Sequence, residues 1–209
     1  MLGYNSNWVV ITANDFTSNT TAVGKVYVFN RASVYGGSAG TIKTFTDNNA
    51  FTLAPAQTID NTQTTEYMVQ DWNGNSSGSG YVQICTLTGT AASPVYTAGA
   101  QLGINQPWSE NTVGAKQSGS TKTLDNGDTR IGNAVYINGS LWFCNTAFLP
   151  ASSPTYSAVQ WWQINPATPS VQQFGRVVDG TGSIFYFYPS IAVNSNGDAL
   201  LGYCQSSST

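Results

Sequence analysis

Asp71-x-Asn73-x-Asn75 sets three oxygen-bearing side chains at alternate positions, the opening of a calcium-loop pattern. The pattern then stops. Ser76 stands where such a loop turns on Gly, and Val82 where it closes on Glu, so this is not an EF-hand. The same residues also suit a hairpin turn. A second oxygen set is positional. Asn14, Asp71 and Asn145 each follow a short apolar run, Asp15 adjoins the first, and Gln205 is a rough fourth equivalent. If those runs are repeated strands around one axis, their ends converge. The residues also suit plain strand-end caps. Paired carboxylates are the third possibility, because two of them suffice for glycoside hydrolysis. The most concentrated polar segment is Asp125-Asn126-Gly127-Asp128, just before Arg130, and it reads equally as an exposed turn.

Other chemistries are excluded by composition. The chain has no His, so Ser-His-Asp and Cys-His nucleophile systems and Cys/His zinc sites are absent. It has no Gly-x-Ser-x-Gly elbow and no phosphate-binding glycine motif. Lys and Arg total 7, scattered along the chain, and net charge is −3. Nucleic acid and anionic membrane surfaces are therefore not expected partners. Charged residues are 8 % of the chain, and no signal peptide is visible at the N-terminus. That weakly charged polar surface reads as extracellular or periplasmic. Cys85, Cys144 and Cys204 allow one disulfide at most, and each lies in an apolar run that suits a buried thiol.

The elements that must position these residues are strands. Residues 8–13, 25–29, 66–70, 80–87, 134–137, 141–145, 158–164, 191–194 and 199–204 are short β-branched and aromatic runs. Asn138-Gly139 between two such runs is a strong hairpin signal. Equivalent strands start near Trp8, Glu66, Leu141 and Ala199. A recurring small antiparallel sheet is the mark of propeller blades. The blade-like units fall at about 1–50, 51–100, 128–180 and 185–209, with a Gly/Ser/Thr-rich insertion over 91–127. The fold expected is all-β, a β-propeller segment of about three to four antiparallel blades, as a single domain or partial propeller. Both chain ends fall close to strands, so a homodimer closing the blade array is expected.

The run Tyr188-Pro-Ser-Ile-Ala-Val-Asn-Ser-Asn-Gly-Asp-Ala-Leu-Leu-Gly-Tyr203 resembles a blade of the sialidase-like (BNR/Asp-box) propellers. Arg130-Ile-Gly-Asn-Ala-Val-Tyr-Ile-Asn-Gly-Ser-Leu-Trp-Phe143 has the same shape. The resemblance holds at blade level over most of the chain and implies a bacterial secreted protein. It departs from the family at the full Asp-box, of which only the turn at residues 195–198 is kept. Family sialidases hold a substrate carboxylate with three Arg and use a Tyr/Glu pair and a further acid. Arg31, Arg130, Arg176, Glu66 and Glu110 sit in none of those motifs, so sialidase activity does not carry over. Calcium-dependent propeller hydrolases, lactonases among them, hold their metal in the central channel with Asp, Asn and Glu, and the strand-end set is of that type.

The leading expectation is calcium-assisted hydrolysis of a small ester or lactone. Asp71 and Asp15 are its catalytic carboxylates, and Asp71, Asn73, Asn75, Asn14 and Asn145 its metal ligands. The alternatives are a glycoside hydrolase of sialidase-like type and a non-catalytic, secreted carbohydrate-binding module. The module would present aromatic platforms from Trp161-Trp162 or from residues 185–188 (Phe-Tyr-Phe-Tyr). In a strand one of Trp161 and Trp162 points inward.

Overall fold

The computed structural model describes residues 1–209 except 17, 19, 20 and 209. It is all-β and largely antiparallel. The first meander is β1 (Leu2–Tyr4), β2 (Trp8–Phe16), β3 (Ala22–Asn30) and β4 (Lys43–Asp47), paired in chain order. Between β3 and β4 lies α1 (Arg31–Tyr35), a short helix capped by the Asn30 side chain, which accepts from Ser33 N. The second meander is β5 (Ala54–Thr58), β6 (Glu66–Ser76), β7 (Ser79–Thr90) and β8 (Ser93–Gly103). The third is β9 (Asn133–Ile137), β10 (Ser140–Leu149), β11 (Tyr156–Asn165) and β12 (Ser170–Val177). A hairpin of β13 (Ile184–Val193) and β14 (Ala199–Ser207) follows.

The first strands of the three meanders lie side by side and parallel: Tyr4 pairs with Gln57, and residues 56–58 pair with 134–136. The result is one open, mixed sheet of 12 strands plus a separate two-stranded sheet. Among the described residues it does not close into a ring. Asn138 and Gly139 form the tight β9–β10 turn with φ of 51° and 79°, the left-handed conformation that such a turn requires.

Strand alternation decides which core each side chain enters. In β10, Leu141 and Phe143 join Tyr67, Val69, Val82 and Ile84 of the second meander in one buried cluster. Their neighbours Trp142 and Cys144 face the other way, onto Ile191 and Val193 of the hairpin. Trp8, Val10, Val26 and Val28 of the first meander meet Met68, Cys85 and Leu87 of the second. The second and third meanders are thus apolar on both faces, and each is sandwiched by its neighbours.

Two sequence expectations change. The stretch over 91–127 is not wholly an insertion, because its first part is β8. That edge strand lacks apolar alternation because it is largely exposed along both faces. Of the three cysteines, all free, Cys85 and Cys144 are buried but Cys204 is exposed on β14. Among the described residues no helix is long and apolar enough to cross a membrane.

Candidate functional site

Asp71 lies midway along β6, not at a strand end as the sequence suggested, on the face that Tyr67 and Val69 define before it. There the ladder slips: Asp71 pairs with Val82 but Asn73 with Tyr81, leaving Trp72 as an extra residue. A bulge of this kind bends the strand and re-aims its side chains. Beyond it the chain meets two long-range segments. The Trp108 backbone N–H donates to Gly74 O over 2.9 Å. The Gly74 N–H donates to Glu110 Oε1 over 2.8 Å. From the third meander, Asn145 Nδ2 donates to the Thr129 carbonyl over 2.6 Å, which holds the 128–130 segment beside Asp71.

These segments enclose a cavity of about 300 Å³ lined by Asp71, Glu110, Asp128, Thr129 and Arg130, with Phe51 and Trp72 as its aromatic wall. Arg130 is fixed on two sides. Its Nη1 pairs with Asp128 Oδ2 at 2.7 Å, and its guanidinium lies 4.5 Å from the Phe51 ring centroid. Asp128 Oδ1 in turn accepts the Arg130 N–H. Both oxygens of Asp128 are therefore occupied by one residue.

Asp71 is placed differently. Its Oδ1 is out of solvent, and although the buried Trp108 indole N–H lies near the carboxyl, neither makes a hydrogen bond of good geometry. Burial pushes the Asp71 carboxyl up to about 7. The donors Thr129 and Trp108 pull it down, while the negative charges of Glu110 and Asp128 push it further up. One carboxyl that holds its proton near neutrality thus faces two others across a cavity, the arrangement used for acid–base work.

A second cavity, of about 410 Å³, shares Glu110 with the first and has Trp108 in its lining. Asn73, Asn75, Ser109, Asn111 and Ser152 line it.

The residues singled out in the sequence fall in different places. Asp71 lines the first cavity, and Asn73 and Asn75 line the second. Asn14 lines a third, of about 120 Å³, where both ends of its amide are engaged by Thr52, at 2.8 and 2.7 Å. Asp15 pairs loosely with Lys25, at 3.7 Å, on an exposed strand end. Asn145 is buried behind Thr129. The five proposed ligands do not share one cavity, and among the described residues no group of three or more Asp, Glu, Cys or His is placed to hold a metal. Asp128 and Arg130 belong to the polar segment noted in the sequence. Glu110, Trp108 and Thr129 reach Asp71 from loops remote in sequence, and only pairing across the fold reveals them.

The aromatic motifs are mostly internal. Trp162 is fully buried, stacked on Phe143 at 5.1 Å, and Trp161 lies partly buried against Trp142. Phe185 and Phe187 are buried while Tyr188 is exposed.

Comparison with family models, with curated proteins and with solved structures finds no match.

Proposed function

We propose that this chain is a hydrolase that cleaves glycosidic bonds by paired-carboxyl catalysis, on an open arc of sialidase-like propeller blades. The observation that carries the chemistry is Asp71, a carboxyl pushed up to about 7 in a cavity that it shares with Glu110, Asp128 and Arg130. A group poised near the working pH both gives and takes protons efficiently. Asp71 donates its proton to the glycosidic oxygen as the C–O bond breaks. Glu110 Oε2, which makes no hydrogen bond among the described residues, takes a proton from water while the water oxygen bonds to the anomeric carbon. One water is consumed, and both sugar products leave as hydroxyl compounds. Asp128 is the poorer base because Arg130 occupies both of its oxygens.

The blade reading is supported by the repeated four-stranded meanders, the parallel row of their first strands, and the apolar faces between successive meanders. Calcium-assisted ester or lactone hydrolysis has less support, since its ligand set is spread over separate cavities. The test is release of nitrophenol from a panel of aryl glycosides, with aryl esters and small lactones alongside. Glycoside turnover that is lost in Asp71→Asn is expected. Turnover of esters alone, or of nothing, overturns the reading.

A further inference from the structure

The second cavity differs in chemistry from the first. It is lined by carboxamides and hydroxyls with one carboxylate, Glu110, and no Lys or Arg. Its carboxamides are pre-set. Asn73 Oδ1 accepts Asn75 N over 2.9 Å, and Asn75 Oδ1 accepts Gly78 N over 3.2 Å. Ser109 Oγ accepts Asn111 N over 3.1 Å. The oxygen end of Asn73 and of Asn75 is thereby anchored to the backbone, and the amino ends of both have no partner among the described residues. Anchored donors of this kind lose little freedom when a ligand oxygen arrives. Trp108 and Glu110 form the wall shared with the Asp71 cavity: Trp108 lines the second cavity and also acts on the Asp71 carboxyl, and Glu110 lines both. The fully buried Trp108 N–H is directed to Asp71, whose titration it lowers, so the residue couples the two cavities.

We propose that this second cavity is a sugar subsite. It binds the hydroxyl groups of a neutral oligosaccharide, whose scissile bond lies across the wall at Asp71 and Glu110. The inference rests on the glycoside-hydrolase reading for the position of the scissile bond, but not for the binding itself. A volume of about 410 Å³ is within the range of small-ligand sites. Carboxamides and serines match hydroxyls, which both donate and accept. Phosphate or carboxylate ligands are disfavoured, because Glu110 repels them and no cation in the cavity compensates.

The test uses the full chain and four probes: maltotetraose, cellotetraose, xylotetraose and chitotetraose. Binding is followed by calorimetry in the Asp71→Asn variant, so that cleavage does not confuse the titration. One probe is expected to bind. The double variant Asn73→Asp/Asn75→Asp keeps the oxygen that caps each turn and loses the free amino groups, and it is expected to weaken that binding about tenfold or more. Asn111→Ala, an exposed change with an independent folding risk, is expected to weaken it in the same direction. No binding of any probe overturns the subsite. So does binding that neither variant weakens while both melt like the parent. Binding that the variants weaken, with no hydrolysis by wild type, leaves the subsite standing and removes the hydrolase reading. Hydrolysis of aryl monoglycosides, with a tetrasaccharide KM unmoved by the variants, does the reverse.

Discussion

The backbone N–H of Gly74 donates to Glu110 Oε1 over 2.8 Å, which ties a loop carboxylate to the strand that carries Asp71. The contact depends on the missing side chain. A Cβ at position 74 would lie 2.6 Å from Trp108 O and 2.7 Å from Trp108 Nε1. Backbone and a buried ring must both move to admit it. Gly74→Ala is therefore expected to destabilise by about 1–3 kcal/mol. It is also expected to lower kcat, because Trp108 and Glu110 shift away from Asp71. A chemical melt and steady-state kinetics on the same preparation check both. A variant with parental stability and parental kcat contradicts the geometry.

Asp71 titrates in the folded chain at about 7, against about 3.9 for a free Asp. Folding therefore favours the protonated form. That stability is present below about pH 4 and is lost as pH rises through about 7. Asp71→Asn removes the dependence and is expected to stabilise the chain at pH 8 by about 2 kcal/mol, a figure reduced for the partial exposure of the group. The same substitution is expected to cut glycoside turnover by about 10²–10⁴-fold. Wild-type kcat should fall as pH rises past about 7, when the acid loses its proton. A rate that climbs through that range refutes Asp71 as the proton donor.

Glu66 carries a second buried carboxyl, neither oxygen of which makes a hydrogen bond of good geometry. Burial pushes it well above the ordinary carboxylate range, opposed only by the Ala56 backbone. Its sign is that of Asp71: stability held at low pH, surrendered as pH rises. Glu66→Gln stays neutral throughout. It should melt near wild type at pH 4 and several degrees higher at pH 8. The falling slope that remains in that variant belongs to Asp71, and the double variant should lose it, leaving a small rise toward pH 8 as the partly buried Met1 amino group gives up its charge. Thermal melts across pH 4–8 read this directly. Equal melting of wild type and Glu66→Gln at pH 8 counts against an isolated buried charge.

The apolar strands were legible because their alternation is dictated by burial. Runs such as 66–70 and 141–145 lie within β6 and β10. β8 was missed because an exposed edge strand needs no apolar pattern, and β5 because its Ala54-Pro55-Ala56 packs closely with small residues. Asp71 was legible as a polar residue ending an apolar run. Its companions Glu110 and Thr129 were not, since loop residues carry no periodicity and reach Asp71 only through the Gly74 and Asn145 hydrogen bonds. The expected strand-end equivalence of Asn14, Asp71 and Asn145 does not hold: Asn14 is near the end of β2, but Asp71 and Asn145 lie midway along β6 and β10, because both strands continue past the apolar runs. The two amides, Asn14 and Asn145, are bound to backbone or side-chain groups of the inter-meander segments.

Calcium and acid–base catalysis make opposite demands on Asp71. A cation held by Asp71 needs the carboxylate and would draw its titration down. An acid catalyst needs the proton. On the second reading, EGTA should leave glycoside hydrolysis unchanged, and added calcium should leave the melting temperature unchanged at pH 7. Loss of turnover with EGTA, restored by calcium, would favour the metal and remove Asp71 as an acid.

Trp162 separates a sugar platform from a core residue. It is fully buried, with ring centroids of Phe143, Phe174 and Trp108 at 5.1, 5.4 and 5.8 Å. Its indole N–H has no partner. Truncation to Ala opens a cavity between the second and third meanders and is expected to cost about 3–5 kcal/mol. Trp162→Phe keeps a ring in the stack and discards the unpartnered N–H, so it should cost much less. Trp161, stacked on Trp142 at 5.9 Å and only partly buried, should tolerate Ala better than Trp162 does. Denaturant melts of the three variants give the order. If Trp162→Ala retains wild-type stability and abolishes binding of a glycan, the ring is a platform and the core assignment fails. The expected result is the opposite: a large loss of stability, a small one for Trp162→Phe, and oligosaccharide affinity per folded molecule unaltered in the Phe variant.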